Sequence, residues 1–374
     1  MNGLPFSLCF AGALLALVGC SDDSQPVGGS PPGGGGGAGG DDAQGGTAQP
    51  SGGGGEGQGG GQGGQGGSGG SPVVCEPDDG TLLAASRLFL GDTEWTGVES
   101  PTAWQSFGRD IDGIATSNDF SAHCLPSGGA SPASVFPDGP NGLDNSFGRT
   151  IIPILKAVAG SGVSEPATMA IQMGGSTLIF DLLDLTGADQ SPVVTRLYGT
   201  SELGSPANFD GEDCWPVAEN SLTDPLDITS AVTVFSDAAV VADVWSSGSP
   251  TTIDVTFSAQ GIGIPLRLYQ AQIIMRLDPT HTSATQSQIS GVIDTEEFLA
   301  TIADAVGAFD PSLCNGAILT AIQNQIRQAS DIMVAGTQDA TATCNAISVG
   351  IGFEASAVHL GGVGPSVVPT DTCP

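Results

Sequence analysis

Ile347-Ser348-Val349-Gly350-Ile351-Gly352-Phe353-Glu354-Ala355-Ser356-Ala357 alternates without a break. Every second residue is apolar and most are bulky, while small or polar residues fill the gaps. That is the period of a β-strand, in which successive side chains leave on opposite faces. Working outward, residues 252–258 place Ile253, Val255 and Phe257 on one side, and Met169, Ile171 and Met173 repeat the period. Residues 232–235, 239–245, 262–268, 270–277 and 286–293 complete the set, with glycine, proline and serine clusters between them. Short strands punctuated in this way predict a mainly-β fold, an antiparallel β-sandwich of jelly-roll type rather than a βαβ array.

Three stretches keep the helical period instead. Phe147, Ile151, Ile154, Leu155 and Val158 share a face behind a cap at Asp144 or Asn145, with Pro153 expected to kink or shorten the helix. Asp294-Thr295-Glu296-Glu297 is a capping-box variant that opens a helix through Phe298, Ile302, Val306 and Phe309. Ile318, Leu319, Ile322, Ile326, Ala329 and Met333 form the third face. The last two helices fall between the final strands, so a C-terminal helical pair is expected.

Composition divides the chain into residues 1–19, 20–74 and 75–374. Residues 6–18 are a nearly unbroken apolar run of 13, too short to span a bilayer, which takes about 20, and right for an export signal, about 7–15. From residue 28 to residue 70, 25 of 43 residues are glycine. So few side chains can offset the entropy lost on ordering, and a disordered linker with a reach of roughly 40 Å is predicted. The remainder has globular composition and is large enough for one big core or two abutting lobes.

The chain carries 40 acidic and 8 basic residues, a net charge of −32, and Lys156 is its only lysine. A phosphate backbone would repel such a surface, so no nucleic-acid partner is expected. The acidic excess suits divalent cations, but it is explained more simply by solubility.

The apolar run ends in Leu17-Val18-Gly19-Cys20, which resembles the lipobox of bacterial lipoproteins. The resemblance implies removal of residues 1–19, a diacylglyceryl group on Cys20, and attachment to a membrane through that lipid. The chain departs from the pattern in having no Lys or Arg in residues 1–8. Ser21, in place of aspartate, implies passage to the outer membrane, facing the periplasm or the cell exterior. Six further cysteines remain: Cys75, Cys124, Cys214, Cys314, Cys344 and Cys373. An even number in an exported chain predicts three disulfides, with 15 ways of pairing them. Cys314 and Cys344 flank a helical stretch and are expected to pair locally. Cys75 and Cys373 bracket the domain.

The candidate metal ligands lie in acidic loops. Asp110-Ile111-Asp112-Gly113 is followed by Asp138-Gly139-Pro140-Asn141-Gly142-Leu143-Asp144-Asn145. Calcium takes six to eight oxygens from flexible loops, and Asp110, Asp112, Asp138, Asn141 and Asp144 would supply them. The same residue types are the ordinary residues of turns, and the EF-hand spacing is not met. Asp210-Gly211-Glu212-Asp213 is a second, weaker acidic knot. The D-x-D-G…C…D-G…G-L-D-N pattern running through Cys124 resembles one found in surface lipoproteins of myxobacteria. The resemblance implies an envelope location and carries no activity with it.

No catalytic signature stands out. His123 abuts Cys124, and His281 and His359 are the only other histidines. Glu296 and Glu297 suit a helix N-terminus. Trp95, Trp104, Trp215 and Trp245 suit packing or a sugar platform. The expectation is a non-catalytic surface lipoprotein for binding, adhesion or envelope structure, with a polysaccharide or protein partner and no cofactor besides calcium. The alternative is a lipid-anchored hydrolase acting on glycans through two carboxyl groups.

Overall fold

The computed structural model describes residues 75–76, 80–116, 119–259, 262–309, 314 and 316–366. The signal, Cys20, the glycine-rich segment and Cys373 lie outside the described residues. In chain order the elements are β1 (Gly80–Phe89), α1 (Pro132–Val135), α2 (Ile152–Ala159), α3 (Ser164–Gln172), β2 (Leu178–Leu183), β3 (Thr195–Gly199), β4 (Cys214–Ala218), β5 (Thr233–Phe235), β6 (Ala239–Val241), β7 (Val244–Ser246), β8 (Thr251–Ala259), β9 (Ile262–Leu277), β10 (Ser283–Asp294), α4 (Thr295–Phe309), α5 (Ala317–Gln328), β11 (Ala346–Ala357) and β12 (His359–Gly364).

The fold is mainly β and antiparallel, with the expected C-terminal helical pair in α4 and α5. One sheet of ten strands runs β5-β3-β2-β1-β11-β10-β9-β7-β6, and β8 also pairs with β9. A small parallel pair, β12 with β4, stands apart. The large sheet curls until its ends meet. Gln190 and Val240 exchange backbone hydrogen bonds of 2.9 Å, and Val193 N–H donates to the Ala238 carbonyl. Inside the curl Phe180 stacks on Phe353 at 5.4 Å, and Trp245 sits edge-on to Phe180 and Phe235. Trp245 Nε1 donates to Thr195 Oγ1, so the one polar atom of that buried indole is satisfied.

The central strand β11 explains the alternation that opened the sequence. Its bulky residues join the main core, as expected. The opposite face, built of Ser348, Gly350 and Gly352, is also buried. A Cβ on Gly350 would stand 2.2 Å from the Phe107 carbonyl oxygen, and one on Gly352 would stand 2.5 Å from the Phe107 ring. The small residues are there because a second layer, with Phe89, Trp95 and Phe107, lies directly on the backbone.

Several expectations are corrected. Met169 and Ile171 belong to helix α3, and Met173 caps its C-terminus. Its buried residues Ser164, Ala167, Thr168 and Ile171 follow the helical period, but two of them are hydroxylic and so hid the signal. Thr168 Oγ1 takes the Leu88 N–H of β1, while Met169 and Met173 point to solvent. Residues 239–245 form two short strands, because Ala242 and Asp243 both take positive φ and turn the chain. Residues 262–277 form one strand interrupted at Gln270, whose φ is 52°. Around Pro153 a wide turn over Phe147–Ile151 precedes α2, so the proline sits at the helix start, where its missing N–H costs nothing. Among the described residues no helix is long and apolar enough to cross a membrane.

Candidate functional site

Two turns bring the acidic residues together. Backbone pairing between Arg109 and Asp144 places the first loop beside the second. The first loop folds on its own aspartates: Gly113 N–H donates to Asp110 Oδ1 at 2.7 Å, and Ile114 N–H donates to Asp112 Oδ1 at 2.8 Å. Asp144 reaches across from the second loop and accepts from Ile111 N–H at 2.7 Å and Asp112 N–H at 3.4 Å. Asn141 provides the left-handed corner of the Pro140–Gly142 turn, with φ of 62°.

One carboxylate oxygen from each of Asp110, Asp112 and Asp144 lies within 4.8 Å of the others. Asp138 stands nearby, its Oδ2 accepting from Thr116 N–H at 2.5 Å. The electrostatics are severe. Burial pushes Asp144 up to about 9, with the charges of Asp112 and Asp331 adding to it and the Ile111 N–H opposing. Asp138 is also raised, first by burial, against the hydrogen bonds from Thr116. Two half-buried arginines supply compensating charge without forming ion pairs among the described residues. Arg149 donates to the carbonyls of Val135 and Pro137, and Arg109 donates to those of Asp110 and Gln270.

The knot is pinned from a third loop that sequence reasoning missed. Gln338 Nε2 donates to Asp112 Oδ2 at 2.6 Å, and its Oε1 accepts from Cys124 N–H. Asp331 accepts from both the N–H and the hydroxyl of Ser348, and burial raises it to about 6. Asp331 is followed by apolar residues and Gln338 has only Asp339 beside it, so no acidic cluster in the sequence marks them. Asn145 ties the knot to the sheet. Its amide donates to the carbonyls of Trp104, Phe107 and Gly350 and accepts from Gly148 and Gly350 N–H. The helical cap is therefore Asn145 rather than Asp144.

The disulfides differ from the expected local pairing. Cys344 bonds Cys124, 220 residues away, and Cys75 bonds Cys214. Cys314 is disulfide-bonded and does not join Cys344. The sequence distance that made a local bridge attractive is overridden because β-bridging of Leu125 to Thr343 already aligns the two segments that carry Cys124 and Cys344.

The remaining candidates are structural. His123 is buried between Phe120 and Phe136, with Nε2 2.6 Å from Thr116 Oγ1. His281 lies 3.5 Å from Asp243 in a turn, and His359 sits on β12. In the second acidic knot Asp213 accepts from Asn208 and Phe209 N–H, as a turn requires. Glu296 pairs with Arg327, and Glu297 accepts from the Tyr269 hydroxyl, both at the start of α4. Asp294 caps that helix through Glu296 and Glu297 N–H. Trp104, Trp215 and Trp245 are buried and Trp95 packs on Phe89 and Phe107, so the tryptophans pack and form no sugar platform.

Comparison with protein-family models, with curated proteins and with solved structures finds no match.

Proposed function

We propose that this chain is a lipid-anchored protein of the outer membrane, held through Cys20, whose folded part binds or displays and does not catalyse. The observation that carries the non-catalytic reading is the use made of the D-x-D-G…G-L-D-N residues. Their carboxylates and amides are spent on backbone N–H and carbonyl groups of three loops over β11. Residues arranged for chemistry would hold such groups open toward a substrate. The two long-range disulfides support the extracytoplasmic location, since bridges of that kind persist in oxidising compartments.

Calcium is the cation that Asp110, Asp112 and Asp144 would take, with Asp138 and Asn141 at the margin. An ion there would offset the burial and the neighbouring negative charges that raise Asp144. Its role in this reading is to clamp the loops.

The deciding experiment is mass spectrometry of the mature protein from native membranes, with assays on polysaccharide and ester substrates. A triacylated or diacylated N-terminal Cys20 peptide and no turnover are expected. A mature protein that still carries residues 1–19, or enzyme-like turnover, would overturn the proposal.

A further inference from the structure

Although the curled sheet closes at the Gln190–Val240 end, it gapes at the other. There β3 and the approach to β5 stand opposite β8 and the start of β9, over the first turns of α4, and enclose a cleft of about 400 Å³. That volume lies within the usual size of small-ligand sites, about 300–1,000 Å³. We propose that this cleft binds the end of a neutral, polyhydroxylated ligand, a glycan. The inference rests on the binding reading above and names its site.

The chemistry of the walls selects the ligand. The floor is apolar, formed by Leu197, Leu266 and Phe298, and offers a dry surface to the C–H face of a sugar ring. Above it stand Thr233, Thr256 and Thr301, whose hydroxyls make no hydrogen bond among the described residues. A hydroxyl is both donor and acceptor, so these groups match other hydroxyls without demanding a charge. At the rim Arg267 holds Asp254 by a two-point fork, Nε to Oδ1 at 2.8 Å and Nη2 to Oδ2 at 3.0 Å. Beside it the Tyr269 hydroxyl donates to Glu297.

That rim also excludes other ligands and other roles. Both carboxylates are already engaged, so no bare negative charge awaits a basic peptide, and neither group is held free to act as acid or base. An anionic ligand would meet a chain of net charge −32. What remains is recognition of neutral hydroxyls.

The test uses the full-length mature protein in detergent, titrated calorimetrically with short neutral oligosaccharides of glucose, mannose, galactose and N-acetylglucosamine. At least one series should bind saturably. Thr301→Trp should fill the cleft and weaken that binding tenfold or more, and Arg267→Ala on the exposed rim should weaken it too. Val241→Ser, at the exposed end of β6, should leave it unchanged. Each variant's melting temperature guards against misfolding, and Arg267→Ala keeps the test open if Thr301→Trp fails to fold. Absence of millimolar binding across all four sugars overturns the site, as does binding that survives both variants or is competed by a cationic peptide. Those results leave the anchor reading standing. Saturable binding accompanied by release of reducing ends supports the site and rejects the non-catalytic reading instead.

Discussion

Replacing Asn145 should unlock the second layer from the sheet. β1 pairs with β11 as far as Phe89 and Gly352. Just beyond that pair, the Asn145 amide offers Gly350 one donor and one acceptor, the pattern a neighbouring strand would supply. It also satisfies the Phe107 carbonyl and the Gly148 N–H, while the Trp104 carbonyl retains a second donor in Phe107 N–H. Asn145→Ala therefore strands four backbone groups in a site that is 3% exposed. At about 1 kcal/mol net for each hydrogen bond, and more for a buried group left unsatisfied, the loss should be about 3–5 kcal/mol. Water entering the space left by the amide relieves part of it, which sets the lower end. Asn145→Asp should be worse still, because a carboxylate would face the Phe107 and Gly350 carbonyl oxygens where the amide donates. Urea unfolding followed by tryptophan fluorescence measures both, with Trp95 and Trp104 close to the lesion. An Asn145→Ala protein within 1 kcal/mol of wild type would refute the reasoning, and so would an Asn145→Asp protein of unchanged stability at pH 7.

Calcium at a hundredfold excess over its dissociation constant should add about 2.7 kcal/mol to stability. Thermal melts in calcium and in EDTA should differ for wild type and coincide for Asp144→Asn; an EDTA-insensitive wild type would count against the ion. In EDTA, stability should fall as pH rises. Asp144 and Asp331 are held at about 9 and about 6, above the ordinary carboxylate value, so the folded state binds protons that the unfolded chain has lost. Between pH 5 and pH 8 the Asp144 share is on the order of 4 kcal/mol at most. Urea midpoints for Asp144→Asn should be flatter over that range, and parallel curves would contradict the assignment. Replacing Cys124 and Cys344 by serine releases a loop of 220 residues. The chain-entropy relation puts the loss at about 5 kcal/mol, readable by urea unfolding, and a loss below about 1 kcal/mol would show that the bridge is incidental.

The sequence alone determined the strands whose bulky residues fall on every second position, because period-two alternation follows directly from the pleat. Residues 252–258 and 286–293 and the opening stretch were legible for that reason, and α4 and α5 were legible from their apolar stripes. β2 is buried along nearly its whole length and β1 through its middle, while β3 has only five residues, so no clear alternation marks them and they went unseen. The acidic loops were legible as turns with cation-like residue content. Tertiary structure alone decided that Asp110, Asp112 and Asp144 converge, that Asp331 and Gln338 join them from a distant loop, and that Cys344 meets Cys124. It also decided what the glycines of β11 are for. Small residues between bulky ones look like a solvent face in the sequence; only packing shows a second layer pressed against them. Local periodicity is written in neighbouring residues, whereas convergence depends on where the sheet curls, and no short stretch of chain encodes that.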